Sequence, residues 1–153
     1  MAIKLPTKTL KGMAKQYERM SKGHDFKKPL RASAKMVAGE NLKRFDKEVD
    51  PNGKGWKPLT KKYEKWKKKQ FDGKGSKINV FNSILRTSIT SNATAMGIYK
   101  LKNDSVTFGS NVDYAGHVQK RRPFLGISED DIKEIGKLFD LWLEKLYIDE
   151  SKR

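Results

Sequence analysis

Cysteine is absent from this chain of 153 residues. That excludes a disulfide framework, a zinc–thiolate site and a thiol nucleophile, and it fits a reducing compartment. Histidine is scarce: His24 and His117 are the two in the chain. No apolar run approaches the roughly 20 residues that span a bilayer. The N-terminal stretch MAIKLPTKTLKGMAKQYERM lacks the apolar core of a signal peptide. The protein is therefore expected to be soluble, made in the cytoplasm and without membrane contact. No H-E-x-x-H, P-loop, G-x-S-x-G or Rossmann fingerprint occurs, so no standard metal, nucleotide or hydrolase motif announces itself. No catalytic residue, metal ligand or cofactor is assigned.

Acidic residues are few beside basic ones, 18 Asp and Glu against 34 Lys and Arg, for a formal charge of +16. Such an excess favours an anionic partner: nucleic acid, an acidic protein face or a membrane surface. Lysine outnumbers arginine, however, which suits diffuse solvated charge better than bidentate phosphate recognition. Apolar residues make up 36% and charged residues 34% of the chain. The core should be small, or completed by partner subunits. The length suits one domain, expected over 26–150, with a helical arm over 1–25 and a short tail at 151–153.

Periodicity supplies the elements. Residues 8–22 place Leu10, Met13, Ala14, Tyr17 and Met20 on one helical stripe. Gly23 stops that helix, and Asp25 is placed to cap the next, expected from Phe26 to Lys47. Its stripe is Leu30, Ala34, Val37, Ala38, Leu42 and Phe45, with Asn41 the polar exception. The breaker cluster DPNGKGWKPL (50–59) holds Trp56, expected to pack its ring back on the core. Residues 60–71 read as a short helix capped by Thr60, and 78–90 are ambiguous between helix and strand. Residues 88–109 read as a hairpin, with Asn103-Asp104 at the φ-positive positions of a tight turn. NVDYAGHVQ (111–119) has room for one helical turn. The clearest helix is 127–150. Ser128 and Asp131 form a variant capping box, and Ile132, Ile135, Leu138, Phe139, Trp142, Leu143 and Leu146 form its stripe. Helices, a loop-rich centre, a hairpin and a closing helix define an α+β fold: N-terminal helices, a small antiparallel sheet and a long amphipathic C-terminal helix.

Three stretches invite chemistry. Asp113 stands four residues before His117, but a lone His–Asp pair without a positioned nucleophile does not make a catalytic site. The acids of SEDDIKE open a helix and lack the alternation of a calcium loop. The lysine cluster from 54 to 77, with Lys67, Lys68 and Lys69 at its centre, is interleaved with Trp56, Tyr63, Trp66 and Phe71. It can be read as a single-strand binder or as an amphipathic helix with aromatics inward and lysines outward. The second reading is preferred, because three adjacent lysines point in different directions on a helix; nonspecific DNA contact stays open. In KRRPF, Lys120, Arg121 and Arg122 form a basic edge able to grip phosphate or carboxylate. Pro123 holds Arg122 extended, Phe124 and Leu125 anchor the core, and Gly126 turns the chain into the last helix.

In this order the pieces resemble the phage virion morphogenesis family, which includes tail-assembly proteins of Mu-like phages and tail completion proteins of P2-like phages. RFDKEVDPNGKGWKPLT (44–60) resembles its Phe, Asp-Pro-x-Gly and Trp-x-Pro-Leu segment, including Trp56 and Pro58. SILRTSI (83–89) is similar to its x-G-x-L-x-x-S-I segment, with Asn82 or Ser83 where glycine is usual. VTFGSNVDYAGHVQ (106–119) resembles its stretch ending Y-A-x-x-H-Q, through Tyr114 and His117, with Val118 parting His from Gln. RPFLGISEDD (122–131) is similar to its Arg-Pro-Phe-Leu-Gly motif. Only Lys120 and Arg121 stand where relatives often carry a glycine-rich insertion. The resemblance implies a non-enzymatic structural protein of tail completion or head–tail joining. It would meet tail and neck proteins, monomeric alone and a ring when assembled, in the host cytoplasm and then in the virion. The rival readings are a basic nucleic-acid-binding module and a hydrolase using His117.

Overall fold

The computed structural model describes residues 2–4, 25–70, 77–79, 83–89 and 95–151. The helix expected over 8–22 lies outside them. Among the described residues three strands and five helices follow in order: β1 (Ala2–Lys4), α1 (Lys27–Lys47), α2 (Lys61–Gln70), α3 (Ile84–Ser88), β2 (Gly97–Leu101), β3 (Val106–Ser110), α4 (Ala115–Arg121) and α5 (Glu129–Ser151). The fold is α+β, with a long C-terminal helix.

The sheet is antiparallel in the order β1-β3-β2. Leu101 pairs with Val106 and Gly97 with Ser110, as a hairpin register requires. The connecting loop is wider than expected. Lys102 N donates to Ser105 O at 2.8 Å, and neither Asn103 nor Asp104 has positive φ. A longer loop closes the hairpin without the left-handed residues that a two-residue turn demands. The third strand is new. Ala2–Lys4 pairs with β3 through Ile3 and Phe108, so the chain's start joins the sheet as a strand.

α1 is central, packing on the sheet and on α5. Its stripe is buried as the spacing predicts, from Leu30 through Ala34, Val37 and Ala38 to Phe45. Asp25 is not its N-cap. That position is Phe26, while the Asp25 carboxylate accepts the Lys27 N–H at 2.9 Å. The far end stops at Glu48, in the left-handed conformation at φ 57°. α5 turns Ile135, Phe139 and Leu143 inward. Phe26 meets Phe139 and Trp142, with ring centroids 6.2 and 5.2 Å apart. At the other end Phe45 packs edge-on against Trp56 at 5.3 Å and against Phe124 at 5.5 Å. Within the ambiguous 78–90 stretch, α3 forms one helical turn over Ile84–Ser88. It is tied to the sheet by the buried hydroxyls of Ser88 and Ser110, 2.6 Å apart.

Candidate interaction surface

The two loop motifs singled out in the sequence touch each other. Trp56, buried, donates from Nε1 to Pro123 O at 2.7 Å. Arg122, extended at φ −143° and ψ 84°, donates from Nε to Lys57 O at 2.8 Å and from Nη2 to Pro58 O at 3.3 Å. Arg122 thus fastens the 57–58 loop and leaves the basic edge. Gln119 completes the clasp. Its Oε1 accepts the N–H groups of Phe124 and Leu125, each at 3.0 Å, and its Nε2 donates to Leu125 O at 2.8 Å. The clasp holds Phe124 and Leu125 in the core, as expected of anchors.

Gly126 is needed for proximity. A Cβ there would lie 2.9 Å from Pro51 Cβ and closer still to its Cγ. Its N–H reaches Asn41 Oδ1 at 3.1 Å, and its carbonyl accepts Arg44 Nη1 at 3.0 Å. Arg44 is the hub that sequence reading missed. It is buried, and its Nη2 donates to Asp131 Oδ2 at 2.5 Å and to Ser128 Oγ at 3.2 Å. Its Nη1 also donates to Asn41 Oδ1 at 2.9 Å. The expected capping box is formed, Asp131 N to Ser128 Oγ at 3.1 Å and Ser128 N to Asp131 Oδ2 at 2.7 Å. One carboxylate therefore caps α5 and neutralises a buried guanidinium, which satisfies both charges away from water. Asn41, polar on an apolar stripe, and the Ser128–Asp131 capping box were the sequence signals of this network.

Two exposed edges remain. On α4, Tyr114, His117, Lys120 and Arg121 are exposed, while Ala115 is buried and Val118 packs on the core. Spacings of three and four place Tyr114, His117 and Arg121 on one helical face. Pro58, Tyr114 and His117 are thus surface residues, whereas Trp56, Phe124 and Leu125 are buried. Asp113 and His117 are both exposed, with no hydrogen bond or ion pair between them, so the geometry does not form the pair a hydrolase reading needs.

The second edge, α2, inverts the sequence expectation. Thr60 caps it, with Oγ1 accepting the Tyr63 N–H at 3.3 Å. Tyr63 is 43% exposed and Trp66 45% exposed, yet Lys67 is buried at 2%. The aromatics do not face inward. Lys67 Nζ donates to Lys77 O, and Glu48 Oε1 accepts the Ile78 N–H at 2.8 Å. This polar junction turns the helix so that a lysine stem, apolar along most of its length, occupies the buried side. Burial pushes the Lys67 ammonium below its ordinary pKa; Glu48 opposes that shift and Arg122 adds to it. Lys68 pairs with Glu64 at 2.6 Å and holds its carboxyl below the usual range. Of the expected basic cluster, Lys68 and Lys69 are exposed and Lys67 is not.

Among the described residues no group of acids and histidines is placed to hold a metal ion, and no helix is long and apolar enough to cross a membrane. Fold and surface together define a basic α+β module with two polar edges standing clear of a clasped core. The chain belongs to the phage virion morphogenesis family, whose model matches residues 7–144. Its role is a structural or assembly one in phage virions, among other virion proteins. No curated protein and no solved structure matches it.

Proposed function

We propose that the chain completes the tail, or its junction with the head, in a tailed phage or prophage. Family membership over residues 7–144 is the observation that carries this reading. The protein works through interface geometry rather than by catalysing a reaction. The Arg44 and Gln119 networks hold residues 124–131, and Trp56 and Arg122 tie the 50–59 loop to the same piece. Such a module suits a repeated subunit that presents the same edges around a symmetric ring. It acts in the host cytoplasm during assembly and stays at the head-proximal end of the tail, against tail and neck proteins. Alone, a chain of charge +16 stays monomeric, since identical subunits repel.

Deletion of the gene tests this. Filled heads and finished but unjoined tails are the expected products, and added purified protein should restore infectious particles. Normal infectious particles without the gene overturn the reading. The nucleic-acid-binding alternative draws on the same charge. It requires affinity for random-sequence duplex that falls steeply with salt, together with normal joining in the deletion strain.

A further inference from the structure

We propose that the outward face of α2, centred on Tyr63 and Trp66, is a docking site for an acidic protein surface on a neighbouring virion component. This rests on the assembly reading and specifies where the contact is made and with what chemistry. The two rings stack on each other, with centroids 5.5 Å apart and an interplanar angle of 28°. Lys62 and Lys69, four residues before and three after Trp66, lie on its side of the helix, and both are exposed. Large aromatics at the centre of a patch with cations at its rim are the anatomy of a protein–protein contact.

The exposure of these rings is built into the fold. Lys67 is buried on the adjoining side and tied to Lys77 O. Rolling the helix to cover Tyr63 and Trp66 would bring Lys67 out and break that junction. The rings are also already stacked, so docking would freeze few side-chain rotations.

Charge selects the occupant. Residues 61–70 carry six lysines and one glutamate, and that glutamate pairs with Lys68. A second copy of a +16 chain would bring like charge to the contact. Single-stranded nucleic acid is served by a groove that tracks the backbone and by rings that take successive bases. Here the rings are stacked on each other on one convex helix, and the lysines are spread around it. An acidic protein face with an apolar hollow fits both the rings and the charge.

The test uses heads and tails purified from phage lacking the gene, with the full-length chain added back. Three proteins are compared: the native chain, Tyr63→Ala/Trp66→Ala, and Lys62→Glu/Lys69→Glu. Co-sedimentation with particles, infectious titre and Tm are measured for each. Both variants should lose about tenfold or more in co-sedimentation and titre at an unchanged Tm, a loss of about 1.4 kcal/mol or more in docking. Both lysines are exposed, so their variant tests the site even if the aromatic variant folds poorly. If the native chain restores no particles, the assembly reading itself falls. If the native chain and both variants restore them equally, the docking site alone falls. Two further results overturn it: variants that lose only affinity for an oligothymidylate probe, and a native chain that dimerises in sedimentation while the variants do not.

Discussion

Single residues decide whether the clasp closes. Gly126 lies so close to Pro51 that a methyl group forces one of them to move. Overpacking of this kind costs about 1–3 kcal/mol. Gly126→Ala should therefore lower the Tm by roughly 2–12 °C, at about 2–4 °C per kcal/mol for a chain of this size. An unchanged Tm would show that the Pro51 loop yields freely. Ser83 gives the opposite expectation. It takes φ 63° at the start of α3, in the left-handed region that favours glycine. A side chain in the left-handed region costs about 1–2 kcal/mol. Ser83→Gly should remove that strain and raise the midpoint of chemical unfolding, less the extra freedom that glycine gives the unfolded chain. Gln119→Ala should cost about 2–3 kcal/mol, because it strips hydrogen bonds from two N–H groups and a carbonyl at a buried turn. Amide exchange at Phe124 and Leu125 should quicken in parallel. Only part of this was legible in the sequence. Gly126 read as a turn residue, since a sequence displays its neighbours and not Pro51, which arrives from far along the chain. Trp56 was read correctly because a tryptophan among glycines has little else to do than pack.

Among the elements, the strongly periodic ones agree with expectation. α5 carries its stripe inward and its capping box at its start, since both features depend on residues within a few positions of one another. Arg44 was not legible for the opposite reason. Its ion pair with Asp131 spans 87 positions, and nothing local marks either residue as buried. α2 misleads because periodicity reports which residues share a face, not which face is turned inward. Among the described residues no helix or strand packs broadly on it, and the polar junction of Lys67 with Lys77 O and of Glu48 with Ile78 N sets its roll. That junction has a pH signature. The Lys67 pKa is lowered by burial in the folded chain, so the unfolded chain binds more protons between that lowered value and the ordinary 10.5. Stability contributed at this site should then rise with pH across that window and level off above it. Comparison with Lys67→Met isolates the effect. The difference in unfolding free energy, native minus variant, should increase from pH 7 to pH 10. A flat difference would mean that Lys67 keeps its ordinary affinity for protons.

At the scale of the whole molecule, charge sets what the fold can do alone. Thirty-four basic residues against eighteen acidic ones leave +16 on a chain of 153 residues. Much of that charge lies on exposed helix faces, such as those of α2 and the end of α4. Repulsion among such charges opposes the compact state, and salt screens it over a distance of about 30 Å at 0.01 M but about 8 Å at 0.15 M. The surface ion pairs, such as Lys43–Glu40 and Lys133–Asp130, weaken with salt, but each is worth little. The buried Arg44–Asp131 pair is shielded from it. Net repulsion should therefore dominate the response. The Tm should rise between 0.01 and 0.15 M sodium chloride, and the chain should sediment as a monomer throughout that range. The same screening should weaken its attachment to phage particles, because there the charge is attractive. A protein that gains stability and loses affinity as salt increases would carry its excess charge for a partner rather than for its own fold. If folding and attachment both weakened with salt, the charge would instead be arranged as compensating pairs within the chain.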